Sequence, residues 1–521
     1  MTRKSGQGND EMHGTTDVDV IIAGAGPTGL MLAGELGLAG VRPLVLERQP
    51  QRRDTQKANG LGGQVLRLLR LRGLLDRFEA ASTGPLHPAP RYPFGDVHLD
   101  FSGMADPPLQ GLHLPQPRLE RLLEEHAEEV GAEVRRGHEL LGVDREDGRV
   151  AARVNGPDGP YRVTARYLVG CDGPRSRVRE EAGISFPGTT YPEINRLAQI
   201  TLPDAVTLLD DGDLQVPGLG VLHAGFTRTE QGLFGIGSLG QGVWLVLTTE
   251  DEPVDRDDRT SMTPDEFRDS VRRVLGADLP VQEWIRLSRY RHQARQADRY
   301  RDRRILLAGD AAHLFPATGV GLNAGMLDAA NLAWKLAARL HGWAPAELLD
   351  TYQEERRLAA ARTMLHTQAQ VALRRGTDPA AEALREVFLE VFADEQPLRR
   401  VGALIAGADV RYPQPGAGVH PLTGAFVPAL APHPTPLLGP ARPVLLDLAG
   451  RPEVRAAAGD WASRVDVRTA ETADRPADAL LIRPDGHVAW ATAVDEPAEV
   501  AVPALREALG HWFGAPPVTE G

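Results

Sequence analysis

A chain of 521 residues is long enough for two to four domains, and 42% hydrophobic with 25% charged residues is ordinary for a soluble globular protein. A net charge of −13 gives no support for nucleic-acid binding, and no run of about 18 apolar residues is present to span a membrane. The single cysteine, Cys171, excludes an intrachain disulfide and any cysteine-based metal site, and the cytoplasm is the expected compartment.

Residues 1–16 are polar with no apolar centre, which reads as a disordered leader and not a signal peptide. Val18 to Ala23 is apolar except for Asp19, the pattern of a buried parallel strand. The turn Gly24-Ala25-Gly26-Pro27-Thr28-Gly29 follows, and Leu30, Leu32, Ala33, Leu36 and Leu38 then give a helical apolar stripe. Val41 to Leu46 predicts a second strand, ending at Glu47 and completing a βαβ unit. Leu119 to Val130 predicts a charged amphipathic helix, with strand-like pieces from Val134 to Leu168. From about Ile184 to Arg289 the character changes. Short strands punctuated by glycine (196–202, 220–226, 233–239 and 243–248) predict a separate sheet-rich domain inserted into the first.

Arg304 to Ala308 returns to a buried strand. Gly321 to Leu340 predicts a helix with Met326, Ala329, Leu332, Ala333 and Leu336 on one face, and Glu347 to Arg374 predicts another. Nine prolines between Pro413 and Pro443 mark a turn-rich linker. Beyond it, 443–448, 479–482 and 488–492 predict strands of a small α/β domain.

Three segments far apart in the chain, each after a predicted strand, suit one long ligand. In the first, Gly24 permits a tight turn, Gly26 lets backbone approach a pyrophosphate, and Gly29 lets helix pack close to strand. Free N–H groups and the positive helix end then face the phosphates. Alone, the spacing also fits a plain strand-to-helix turn. Glu47, 18 residues after Gly29, can accept from ribose hydroxyls and would repel a 2′-phosphate, which suits FAD or NAD and not NADP. A solvated strand end is the plainer reading of Glu47, and a surface arginine that of Arg48, which can otherwise sit near the adenosine or phosphates. The second segment is Cys171-Asp172-Gly173. The third is the most specific: Ile305-Leu306-Leu307-Ala308 leads into Gly309-Asp310, whose carboxylate can bind ribityl hydroxyls of a flavin. Pro316, Gly319, Gly321, Leu322, Asn323 and Gly325 then open a helix whose N–H groups can reach a flat ring and stabilise negative charge on it.

With these residues in place, the chain resembles the FAD-dependent aromatic hydroxylases, the single-component (group A) flavoprotein monooxygenases. Within them it is most similar to hydroxylases that tailor aromatic polyketides and to rifamycin-type and phenol hydroxylases. The matching stretches are AGAGPTGLMLAGELGLAG, GCDGPRSRVRE and LLAGDAAHLFPATGVGLNAGMLDAANLAWKLA; LLIRPDGHVAW resembles the thioredoxin-like C-terminal domain of that subgroup. The resemblance implies an α/β fold in which a Rossmann-like FAD-binding domain (17–183 and 290–400) carries an inserted β-sheet-rich substrate domain (184–289). A linker and thioredoxin-like α/β domain follow (401–521), and without cysteine that domain has no redox activity.

The resemblance also implies site residues. Gly24, Gly26, Pro27, Thr28, Gly29, Glu47 and Arg48 serve the adenosine and pyrophosphate, and Gln116 lies near the phosphates and ribityl chain. Asp172 and Gly173 belong to a motif tied to both FAD and NAD(P)H. Asp310 binds the ribityl chain, and Pro316, Gly321, Leu322 and Asn323 serve the isoalloxazine. NADPH or NADH reduces the FAD, O2 adds to give a C4a-hydroperoxide, and an aromatic small molecule, a polycyclic phenol of polyketide type, takes one oxygen atom. The inserted sheet domain is expected to roof the substrate over Pro316 to Gly321. His223, His292 and His313 are the candidate bases, each with a structural role as the plainer reading, so no catalytic side chain is assigned. Baeyer–Villiger insertion or oxidative ring opening suits the same scaffold. A flavin-dependent reductase and a non-catalytic ligand-binding protein are the alternatives from other classes. A homodimer is possible; no metal, nucleic acid or membrane is expected.

Overall fold

A computed structural model describes residues 16–52, 54, 58–89, 91–209, 213–240, 242–253, 260–316, 319–376, 378–414, 420–430, 436–470 and 474–516. The leader, apart from Thr16, and parts of the proline-rich linker lie outside the described residues. Among the described residues, no helix is long and apolar enough to cross a membrane.

The chain divides into two compact units, residues 188–294 and the remainder. The larger unit is organised around strand β1 (Thr16–Ala23), in which Val20, Ile21 and Ile22 are fully buried. Helix α1 (Pro27–Leu38) begins at Pro27, whose fixed φ suits the first helical position. Strand β2 (Pro43–Glu47) returns beside β1 in parallel. Helix α2 (Gln116–Glu129) leads to strand β3 (Glu133–Arg136), and strand β4 (Gly159–Gly170) lies on the other side of β1. Strand β5 (Ile305–Leu307) joins β4, giving the parallel order β5-β4-β1-β2-β3. Such a sheet is covered on both faces, which is why β1, β2 and β5 read as apolar runs, whereas the edge strand β3 carries Glu133, Arg135 and Arg136. Helix α3 (Val320–Leu340) packs across α1, and helix α4 (Asp350–Arg375) follows it.

Two more helices, Pro379–Ala393 and Glu395–Ala406, come after α4 and were not expected from the sequence. The C-terminal sheet has the order Asp466–Thr469, Val444–Asp447, Ala479–Ile482, Val488–Thr492, of which only the first strand was not predicted. Both faces of its other three strands are buried. Leu446, Leu480 and Ile482 join the main core, while Leu445 and Leu481 pack with Trp512, Phe513 and Trp334 of α3.

The smaller unit is an antiparallel sheet of Gly225–Thr229, Gly232–Gly240, Val243–Asp251, Gly188–Thr201 and Glu283–Gln296, in that order. Helix Pro264–Leu275 is capped by the Thr263 hydroxyl, which accepts from Glu266 N–H, and buries Phe267 and Val271 against Phe234 and Val246. Arg196 is fully buried, and its charge is met by Glu250 at 2.7 Å, Glu266 at 3.1 Å and Glu252.

Candidate functional site

Strand register brings the three sequence segments together. Ala23 of β1 lies opposite Leu46 of β2 and Gly170 of β4, and Gly170 lies opposite Leu307 of β5. Backbone bonds carry the alignment past the strand ends: Gly24 N–H to Leu46 O (2.8 Å), Cys171 N–H to Ala23 O (2.8 Å) and Ala308 N–H to Gly170 O (3.0 Å). Gly24, Glu47, Cys171 and Gly309 therefore leave the carboxyl edge of one parallel sheet side by side, the edge where open α/β sheets bind ligands.

Close approach explains the glycines of the first segment. Gly24 has φ +104°, and a Cβ there would lie 2.5 Å from Cys171 O; a Cβ at Gly29 would collide with Gly24 O. Among the described residues, a Cβ at Gly26 or at Gly173 would meet nothing within 4 Å, so those backbones are open. The first turn of α1 carries no acidic side chain to cancel its positive end. Pro27 opens α1, and the half-buried Thr28 is turned inward, its hydroxyl carbon group filling the space that Gly309 and Gly325 leave empty.

Glu47 is half-buried and already fixed: its carboxylate accepts from Ala25 N–H at 3.0 Å and Gln49 N–H at 2.9 Å. Arg48, next to it, is exposed. Gln116 starts α2, donates to Glu120 at 2.7 Å and receives its position from its own N–H to Ala58 O. Nearby, Glu124 holds Arg136 and Arg52, so this end of the site carries both signs of charge.

Asp172 accepts from Val178 N–H at 3.1 Å and so ties the turn to helix Arg177–Glu181; its other oxygen is buried with no hydrogen-bond partner among the described residues. Burial pushes its carboxyl above the usual range against the pull of Ser176 and the Val178 amide. Cys171 beside it is also pushed well up, by burial and then by the Asp172 charge.

Asp310 sits on a single 3-10 turn, Gly309–Ala311, and is exposed while Gly309, Ala311, Ala312 and His313 are buried. Its Oδ1 is 3.6 Å from where a Gly321 Cβ would stand, so the carboxylate lies beside the start of α3. Gly319 caps that helix with φ +87°, and its first turn carries no acidic residue. Pro316 is buried, and Gly321 and Leu322 are half-buried. Asn323 bridges two segments: its Oδ1 accepts from Gly62 N–H at 3.2 Å and its Nδ2 donates to Gly319 O at 2.9 Å.

Asp328, eight residues into α3, carries no signal in the sequence, yet it organises this loop. It is fully buried and accepts from Gly309 N–H (2.9 Å), His313 Nε2 (2.7 Å) and Arg356 Nε (2.6 Å). Burial alone would raise its pKa, but His313 and Arg356 hold it down to about 2. His313 is thereby a structural partner of Asp328 and not a free base. In the smaller unit, the exposed His223 pairs with Asp213 at 2.5 Å, and His292 stands edge-on to Tyr290.

Two helix N-termini free of acidic side chains, open glycine backbone, one carboxylate at the end of β2 and another exposed after β5 can together receive a long ligand. Its anionic middle and hydroxyl-bearing arms match these groups. Comparison with known proteins agrees. A family model described as FAD binding domain matches residues 17–367, and one described as aromatic-ring hydroxylase, C-terminal, matches residues 420–516. The 12-dehydrotetracycline 5-monooxygenase/anhydrotetracycline 6-monooxygenase of Streptomyces rimosus is 40% identical over 96% of this chain and 99% of its own length. A dialkyldecalin synthase of Streptomyces rugosporus is 38% identical over 95% of this chain and 98% of its own. The solved structure of an aromatic hydroxylase from angucycline biosynthesis superposes with TM-score 0.84 at 37% identity, covering 96% of this chain and all of that one.

Proposed function

This chain belongs to the FAD-binding aromatic-ring hydroxylases and is an FAD-dependent monooxygenase, and from that premise we propose that it hydroxylates a polycyclic aromatic metabolite of polyketide type. NADPH or NADH is the proposed electron donor and O2 the oxygen source. The observation that carries the reading is the shared strand edge, where Gly24, Glu47, Cys171 and Gly309 emerge next to one another.

Bound FAD supplies the redox chemistry that activates O2 and delivers one oxygen atom to an electron-rich ring carbon. The protein's part is binding and orientation. Gly26 and the first turn of α1 present N–H groups to the pyrophosphate, Gly24 makes the tight turn, Pro27 opens the helix, Gly29 lets it pack close to the strand, and Thr28 keeps α1 seated against Gly309 and Gly325. Glu47 receives ribose hydroxyls, with Arg48 and Gln116 near the adenosine and phosphates. Asp310 receives ribityl hydroxyls. Pro316, Gly321, Leu322 and Asn323 shape the start of α3, whose positive end stabilises negative charge on the reduced ring. Asp172 and Gly173 complete the edge. Residues 184–289 are proposed as the substrate-binding sheet domain and 401–521 as a linker with a thioredoxin-like domain.

The likeness to a protein named for making a dialkyldecalin supports a second reading for this chain, ring formation in place of oxygenation. Purified protein given NADPH, labelled O2 and a panel of polycyclic phenols separates the two. Oxygenation places one labelled atom in a product whose substrate accelerates NADPH consumption. A new ring with no label incorporated, for any compound turned over, rejects the monooxygenase reading; among labelled products, the ring skeleton by NMR separates hydroxylation from Baeyer–Villiger insertion.

A further inference from the structure

The segment Arg483-Pro484-Asp485-Gly486-His487 joins the last two strands of the C-terminal sheet. Charged turn residues ordinarily lie in water. Here Arg483, Asp485 and His487 are 0%, 2% and 7% exposed, inserted against α3 and α4. Arg483 donates to both oxygens of Glu355 on α4 (2.6 and 2.8 Å) and also to Asp485. Asn331 on α3 donates to Asp485 and to Glu355, each at 2.7 Å, and Lys335 donates to Glu355 at 2.7 Å.

From this cluster a path of buried contacts reaches the ligand edge. The His487 ring stacks on Tyr412 with centroids 4.1 Å apart. Arg356 Nη1 donates to the Tyr412 hydroxyl at 2.7 Å, and Arg356 Nε donates to Asp328 Oδ1 at 2.6 Å. The other oxygen of Asp328 accepts from Gly309 N–H and His313. Gly309 immediately precedes Asp310.

We propose that the Arg483–His487 turn is a positioning element of the cofactor site, acting through Tyr412, Arg356 and Asp328 to hold the Gly309–Asp310 backbone. This rests on the reading of Asp310 as a flavin-binding residue. The two oxygens of Asp328 face opposite ways, one toward the loop and one toward Arg356. Arg356 in turn depends on Tyr412 OH and Ala324 O for its remaining donors. Removing the Tyr412 hydroxyl leaves a buried guanidinium N–H unpaired, and the guanidinium can recover a partner only by shifting, taking Asp328 with it. The C-terminal domain, which lacks cysteine, thereby has a task in the reaction besides packing.

The test uses full-length protein stripped of flavin and retitrated with FAD. Tyr412→Phe keeps the ring on His487 and loses only the hydroxyl. Asp409→Asn is the control: it breaks the Arg362–Asp409 ion pair, another contact of α4 with the same segment, with no link to Asp328 among the described residues. Tyr412→Phe should weaken FAD binding about three- to tenfold, the worth of one hydrogen bond, and change the visible circular dichroism of the bound flavin. Asp409→Asn should change neither, although both variants lower the thermal midpoint of the apoprotein to a similar degree. Arg356→Lys carries the same test if Tyr412→Phe does not fold. Wild-type affinity and an unaltered flavin spectrum in the variant overturn the positioning role alone. A wild-type protein that binds no FAD overturns the site reading, and this inference with it.

Discussion

The amide of Gly309 donates to Asp328 across 19 residues of sequence, at 2.9 Å. That bond fixes the 3-10 turn so that Asp310 alone faces outward while its neighbours are buried. An exposed carboxylate on a rigidly held turn is prepared to accept hydroxyls at little ordering cost.

Asp310→Ala should therefore lose most bound FAD. Charge-assisted hydrogen bonds are worth about 1.5–3 kcal/mol, so the dissociation constant should rise at least about tenfold. Flavin absorbance relative to protein after purification, followed by titration with FAD, measures it. Full occupancy and wild-type affinity in the variant would remove Asp310 from the site.

Glu47 presents a different balance, because its oxygens already serve Ala25 and Gln49 in the protein itself. Glu47→Ala strands two amides, so it should destabilise the apoprotein by about 1–2 kcal/mol as well as weaken FAD binding. Glu47→Gln keeps one acceptor oxygen and should recover most of the stability. Denaturant titration of both apoproteins, read beside their FAD affinities, separates the two effects; equal stability losses in the two variants would contradict the account.

What the sequence made legible follows from local rules. The glycines at 24, 26 and 29 announce a backbone problem that no other residue solves, and Glu47 and Asp310 stand where apolar strands end. Asp328 was not legible, because a single aspartate on the α3 stripe looks like a solvated helix residue until α4 delivers Arg356 against it. Thr28 reads as a ligand contact in the motif, yet its side chain packs between two glycines nearly 300 residues away in sequence. The burial of the turn Arg483–His487 was not legible, because it is made by α3, α4, Tyr412 and Arg72, all distant in sequence. Strand register, a long-range property, joined the three segments.

Cys171 offers a test of local environment. Burial and the neighbouring Asp172 charge push its thiol well above the ordinary range, and the thiolate is the reactive form. Native holoprotein should react with a thiol reagent far more slowly than the unfolded chain at the same pH, and denaturation should release one reactive thiol, the only one present. Rapid stoichiometric labelling of the native protein would show that the thiol is neither shielded nor raised.

Arg483 meets both Glu355 and Asp485 in the interior. Arg483→Ala leaves these carboxylates short of their main partner, which costs about 3–5 kcal/mol for a broken buried pair. A large fall in thermal midpoint is the expected outcome. Asp447, buried in the same domain, is satisfied separately by Arg451 and Arg455, so the loss should not spread there. A midpoint within a degree or two of wild type would mean that water or a rearranged Lys335 takes over the role.

Acid sensitivity should be traceable in part to His366. This side chain lies on α4, 2% exposed, with Gln370 as its side-chain partner at 3.1 Å. Burial lowers its pKa to about 4, with nearby Arg362 adding to the fall and Asp409 opposing it. In the unfolded chain an ordinary histidine titrates near 6.5. Between those values the unfolded state binds the proton and the folded state does not, so stability falls as pH drops from about 6.5 to about 4, by at most about 1.4 kcal/mol per unit. Asp328, held to about 2, contributes its own loss only at lower pH. His366→Leu removes the titration and keeps the site apolar. Its thermal midpoint should decline less steeply than that of wild type across this window, and parallel slopes would assign the acid sensitivity to other groups.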